Sequence, residues 1–312
     1  MCRVIAVLFF CGVCATAAPL ATGVIHDAVI DGKLVVVKGL IEANSKLLEE
    51  ADEQQIRPLH YAALTGQAEI AKYLVVKKAK LEAKTKAGYT PLHLATTEGH
   101  LDVVKWLLAG NADVDAADAK KYTPLHHAVE GRYVEIIGLL LDRKAKVDVK
   151  SDNGQTPLHW ACWNGYADVA KLLLEKKSPI EATDDSGYTP LHMAAWQNNA
   201  DVVTLLLDHK ANVKAVDSEG CTAIHLAAAN GDDTIVSLLI ERKADVNARC
   251  KDGDTPLHRA VREDRLDVTA ILIKAKADVN AKGNEKQSPL SIAKSDEDTE
   301  LEMLLLEHGA KP

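Results

Sequence analysis

The chain has 312 residues, 47% of them hydrophobic and 26% charged, ordinary proportions for a soluble protein. Its formal net charge of -8 argues against a nucleic-acid footprint, which would need a basic excess or stripe. Only 4% of the residues are aromatic, which suits short Leu/Ala/Val helices better than a β-sandwich.

Residues 1–17 read as an export signal. Arg3 is the only charge before His26 and Asp27, residues 4–15 form an apolar run of h-region length, and Ala15-Thr16-Ala17 supplies a small-x-small cleavage site ahead of Ala18. The competing readings are a retained membrane anchor and a buried first helix. The run is short for a span, and Pro19 follows it. Cleavage would remove one positive charge and take the balance from -8 to -9. A short linker, residues 18–23, comes next.

From there the chain repeats itself. Thr90-Pro91-Leu92-His93 returns as Thr123-Pro124-Leu125-His126, Thr156-Pro157-Leu158-His159, Thr189-Pro190-Leu191-His192 and Thr255-Pro256-Leu257-His258. A weakened copy stands at Thr222-Ala223-Ile224-His225, and flanking versions at Arg57-Pro58-Leu59-His60 and Ser288-Pro289-Leu290-Ser291. The spacing is 33 residues each time. Within residues 85–117, Gly88 marks a turn, Thr90 sits where an N-cap belongs and Pro91 at the first helical position. A first helix is expected over 91–98, stopped by Gly99. A second follows over about 101–110, with Leu101, Val104, Leu107 and Leu108 on one face. Helices this short are marginal alone and must bury their apolar faces on neighbours.

The period and the tetrapeptide resemble the ankyrin repeat family. The resemblance implies an all-α solenoid of stacked helix-turn-helix units with β-turn or hairpin loops. Residues 24–50 read as an N-terminal capping repeat, 51–287 as seven repeats and 288–312 as a C-terminal cap, nine units in all. His26 precedes His60 by 34 residues, so the first unit holds one extra residue, placed near residues 44–48. In the last unit Ser291 replaces the histidine, and Asp296-Glu297-Asp298 is expected to open the second helix as an acidic first turn.

Two departures from the family pattern stand out. Arg57 forfeits an N-cap, at a cost of about 1 kcal/mol. The slot after the second helix, usually Gly in the family, holds Lys78, Asn111, Lys144, Lys177, Lys210, Lys243 and Lys276, with Gly only at Gly309. If that slot is left-handed, each lysine costs about 1 kcal/mol. The lysine ladder reads first as helix C-terminal chemistry and solubility, and second as a basic strip for an acidic partner or anionic head groups.

Cleavage would leave Cys162, Cys221 and Cys250, too odd and sparse a set for a disulfide framework. Cys221 and Cys250 fall in turns of adjacent repeats; a bridge is allowed by position but not demanded. No N-x-S/T sequon occurs.

Catalytic fingerprints are missing, and the histidines are periodic, forming a ladder instead of a converging site. In the family such histidines bond turn backbone beside the Thr hydroxyl. His126 and His127 are helix neighbours and should point apart. No catalytic residue, metal or cofactor is expected.

In ankyrin proteins recognition resides on a concave face made by the turns and first-helix ends. The slot before Thr supplies Tyr89, Tyr122 and Tyr188, and the slot seven after Thr supplies Trp163 and Trp196. Asn164 and Gln197 adjoin the indoles. These seven residues are the candidate partner-binding set, since exposed aromatics dominate interface energetics. Trp160 is expected in the inter-repeat core, and Trp106 as packing. The resulting expectation is an exported, monomeric, non-catalytic protein-binding module, secreted or periplasmic. The alternatives are a membrane-anchored scaffold and a specific inhibitor or protector of an envelope or host enzyme.

Overall fold

The computed structural model describes residues 23–311, so the signal segment lies outside the described residues. They contain eighteen α-helices, two short 3₁₀ helices and no strand. Two compact units follow one another, the first ending at Asp152 and the second starting at Asn153. Each is a stretch of helical-repeat solenoid.

The first unit holds α1 (Val24–Ile30), α2 (Leu34–Ala43), α3 (Pro58–Thr65), α4 (Ala68–Val76), α5 (Pro91–Thr97), α6 (Leu101–Ala109), α7 (Pro124–Glu130) and α8 (Val134–Asp142). The second holds α9 (Pro157–Trp163), α10 (Ala167–Glu175), α11 (Pro190–Trp196), α12 (Ala200–Asp208), α13 (Ala223–Asn230), α14 (Asp233–Glu241), α15 (Pro256–Arg262), α16 (Leu266–Lys274), α17 (Pro289–Ser295) and α18 (Thr299–Glu307). Within each unit, first helices stack on first helices and second helices on second helices.

The periodic apolar residues form the core. Val103, Val104, Leu107 and Leu108 of α6 are buried, while Asp102 and Lys105 on its other side are exposed. Each such burial contributes about 2 kcal/mol. The extra residue of the first repeat falls in a 3₁₀ turn at Ser45–Glu49. Asp296 and Glu297 do not open α18. Glu297 is left-handed at φ 58°, and Asp298 caps the helix by accepting from the N–H groups of Glu300 and Leu301. A residue with positive φ cannot begin a right-handed helix, so the acidic run becomes the turn before it.

The histidine ladder joins the repeats. Nδ1 of His93 lies 2.8 Å from the Thr90 hydroxyl and accepts the Thr90 N–H at 3.2 Å. Nε2 therefore carries the proton and donates to the Tyr122 carbonyl of the next repeat at 3.1 Å. The same joint recurs from His60 to the Ala83 and Tyr89 carbonyls, from His159 to Tyr188, from His192 to Cys221 and from His258 to Gln287. The Thr hydroxyl serves the imidazole more closely than it caps the helix, since the Thr90 cap bond to the His93 N–H is 3.4 Å. In the last repeat Ser291 keeps the local half, accepting the Ser288 N–H at 2.8 Å.

A second joint links the loops that follow successive second helices. Glu82 accepts the Asp113 N–H, Asp115 the Lys146 N–H and Glu181 the Asn212 N–H, at 2.7–2.8 Å.

The turn tips stack closely. A Cβ on Gly88 (φ 84°) would meet the Ala119 nitrogen at 2.6 Å, and one on Gly187 (φ 78°) the Ser218 nitrogen at 2.6 Å. Only glycine fits both the dihedral and the approach. Cys221 and Cys250 form a disulfide with Cα atoms 4.5 Å apart, which joins two consecutive turns of the second unit.

The slot after each second helix is left-handed, with φ of 68° at Lys78, 64° at Lys144, 67° at Lys243 and 70° at Lys276. Lys243→Gly is expected to raise stability by about 1 kcal/mol, read as a higher urea midpoint at unchanged slope.

Burial lowers the pKa of His60 and His225 to about 4 and that of His93 to about 3, and also lowers those of His192 and His258. The unfolded chain takes up protons below about pH 6.5, where the folded ladder does not. Stability from these groups is complete above pH 6.5 and is lost as pH falls toward 4, each histidine removing up to about 1.4 kcal/mol per pH unit. Urea midpoints measured from pH 8 to 4 should be flat at first and then fall steeply.

Candidate functional site

Three slots come together in several repeats: the residue before Thr, the one four after and the one seven after. The first places a side chain on the turn, and the other two lie on successive turns of the first helix.

In the first unit these slots make a buried polar cluster. Asp118 folds its own turn by accepting the N–H groups of Lys120 and Tyr122 at 2.8 and 2.9 Å. Its other oxygen lies 3.2 Å from Nε2 of His127, and both side chains are buried. Burial pushes the Asp118 carboxyl up, but His127 and the two backbone donors outweigh it and hold the pKa below its usual range. The rings of Tyr89, Tyr122 and His93 surround the His127 imidazole at centroid distances of 5.7, 5.8 and 5.7 Å. Tyr89 and Tyr122 are half-buried. His127 points away from His126, as expected for neighbours, yet it occupies the same four-after slot as Tyr61, whose hydroxyl donates to Asp52 at 2.7 Å. An aspartate nine residues upstream of this slot was the available signal, and sequence reasoning passed over it.

In the second unit Trp163 at the end of α9 meets Trp196 at the end of α11, with centroids 5.8 Å apart and planes at 69°. Tyr188, on the turn before α11, packs edge-to-face on Trp196 at 5.4 Å. The indoles remain 38% and 40% exposed. The helix ends that carry them are fastened by asparagines of the following repeats. Asn199 donates to the Cys162 and Trp163 carbonyls at 2.9 Å, and Asn230 donates to the Trp196 carbonyl. Asp184 shapes the Tyr188 turn by accepting from the Ser186 and Tyr188 N–H groups, both at 2.9 Å.

The seven candidate residues therefore divide. Trp163, Trp196 and Tyr188 form one ring cluster; Tyr89 and Tyr122 converge on His127 instead. Asn164 is exposed but donates to its own helix, to the Trp160 carbonyl at 2.9 Å, and Gln197 is half-buried at the end of α11. Trp160 is half-buried, not core. It occupies the four-after slot, which in Tyr61 and His127 turns toward the repeat's own loop and not into the helix stack. Trp106 is half-buried on α6, with the Lys72 ammonium 4.6 Å from its ring centroid.

Further along the second unit the same slots become charged. Asp254 stands in the aromatic slot and its carboxylate is fully buried. Burial pushes that carboxyl up, and the Arg262 guanidinium and the Asn284 N–H more than compensate, leaving the pKa lowered. Arg262 bonds it directly, Arg259 reaches it at 3.6 Å, and Arg259 also bonds Asp252 at 2.8 Å.

Among the described residues no three His, Cys, Asp or Glu side chains are grouped to hold a metal ion, and no helix is long and apolar enough to cross a membrane. Cys162 is buried, and burial pushes its thiol up, which leaves it protonated and inert.

A family model described as "Ankyrin repeats (3 copies)" matches residues 25–118, 111–184, 148–217 and 210–283. No curated protein matches the chain.

Breaking one side of the buried pair should be costly. Arg262→Ala is expected to destabilise the protein by about 3 kcal/mol because the Asp254 charge stays buried, and adding Asp254→Asn should recover most of the loss. Chemical denaturation of the two variants and the double variant tests this.

Proposed function

Because the chain belongs to the ankyrin-repeat family, whose repeats form protein-binding modules, we propose that it acts as an exported, non-catalytic module that docks a partner protein on its turn and first-helix face. The observation that carries this reading is the pair of 38–40% exposed indoles at the ends of α9 and α11. A monomeric protein rarely leaves large rings side by side in water unless they mark a contact site. The helices and turns beneath them are hydrogen-bonded on both sides, so little backbone entropy is lost on docking.

Two independent features support export. Residues 1–17 carry the pattern of a cleavable signal. The Cys221–Cys250 disulfide is of the kind that persists in oxidising compartments. The module is read as a monomer, free of the membrane once its signal is removed. The other end of its life, inhibition of one enzyme or general scaffolding, is decided by the partner.

Capture of partner proteins by the exported chain should fall when either indole is removed. Trp163→Ala or Trp196→Ala is expected to weaken binding by about 2 kcal/mol or more with the fold intact. Equal capture by both variants would remove the docking site. N-terminal sequencing of the exported protein should begin at Ala18; a start at Met1 in a membrane fraction would replace the soluble module by an anchored one.

A further inference from the structure

Resting on that docking reading, we propose that the Trp163–Trp196–Tyr188 cluster receives a cationic side chain, an arginine or lysine, presented by a basic segment of the partner protein.

The rings supply half of the recognition. Aromatic faces carry negative π density and attract ammonium and guanidinium groups, with indole the strongest of the three ring types. Trp163 and Trp196 meet edge to face, so their contact is not a stack that hides both ring faces, and both remain well exposed.

The turns supply the other half. Asp184 is fixed beside Tyr188 by its bonds from the Ser186 and Tyr188 N–H groups. Asp217 is fixed in the same way in the next repeat, accepting the Glu219 and Cys221 N–H groups at 2.8 Å. Asp185 and Glu219 are exposed on the two turn tips. After burial, the charges that push the Tyr188 hydroxyl up are those of Asp217, Asp184 and Glu219, which places this tyrosine in a negative field. Arg259, a basic group that opposes them, is already engaged by Asp252 and Asp254.

Rings and carboxylates together discriminate between partner chemistries. An apolar knob would cover the rings but strip water from the carboxylates beside them without replacing it. An acidic segment would be repelled, and the -8 net charge extends that repulsion beyond the patch. A guanidinium or ammonium group satisfies both, stacking on an indole while facing the turn carboxylates.

A library of random displayed peptides, panned on the unmutated protein and on the Trp163→Ala/Trp196→Ala protein at physiological salt, tests the assignment. Enrichment of Arg- or Lys-bearing peptides is expected on the unmutated protein, with binding about tenfold weaker on the double variant. Replacing the enriched cation by Gln should cost a similar factor, and Asp185→Asn/Glu219→Gln protein should bind several-fold more weakly and with less salt dependence. A Trp163→Phe/Trp196→Phe variant, which keeps the packing, should lie between the two. Peptides that need both tryptophans but bind equally well after the Gln replacement overturn the cationic assignment and leave the docking face standing. Peptides that bind the double alanine variant as well as the unmutated protein, or no enrichment at all, overturn both.

Discussion

In every repeat but the last, where Ser291 stands instead, the register of this fold depends on one hydrogen-bonded imidazole. In its neutral form it accepts from the threonine of its own repeat and donates to a carbonyl of the next, as at His93 between Thr90 and Tyr122. The contact between Ala- and Leu-rich helices tolerates small slips, because burial is roughly proportional to area and blind to direction. A directional bond to one carbonyl is not tolerant in that way. It sets the register between successive repeats, and a carbonyl left buried without it would cost about 1–3 kcal/mol. The Glu82, Asp115 and Glu181 bonds add the same kind of directional contact between the loops that follow successive second helices. Where both bonds occur, a repeat is held to the next by more than one directional contact.

That pinning frees other positions. Within this one chain the slots that face the next repeat hold the same residue types again and again, while the slot before Thr runs through Tyr89, Tyr122, Tyr188, Cys221 and Asp254. The slot four after Thr varies as widely, from Tyr61 to His127, Trp160 and Arg259. Side chains there can vary in type because the recurring histidine joint uses only the backbone carbonyl of the slot before Thr, although Cys221 and Asp254 add their own links to the next turn. The outcome is local specialisation: a buried His127–Asp118 cluster in the first unit, and in the second exposed indoles followed by a buried carboxylate clamped by Arg262.

The scaffold was legible in the sequence because periodicity reports local physics. The Thr-Pro start of most first helices and the conditional reading of the lysine slot, left-handed at all six lysines, needed only spacing and backbone sterics. The candidate site was legible only in part. Listing Trp163, Trp196 and Tyr188 required the period alone, but their convergence into one cluster depends on angles between helix pairs that no single repeat encodes. Tyr89 and Tyr122 looked equivalent to Tyr188, and they turned instead toward His127, whose role lay in a slot that had not been lined up. Trp160 was misplaced for the same reason. The Cys221–Cys250 bridge was left open because the distance between two loop positions follows from how tightly adjacent turns stack, and glycines such as Gly187 let them stack very tightly.

The same bridge has a mechanical meaning. Its partners are 29 residues apart in sequence, and between them lie the whole of α13 and α14. Were the chain pulled from its two ends, tension would pass through the sulfurs and bypass that loop. About 100 Å of contour would stay hidden from extension, at roughly 3.4 Å per residue. One helix pair would bear no load while its neighbours were drawn out, and its two ends would stay tethered together when the tension was released.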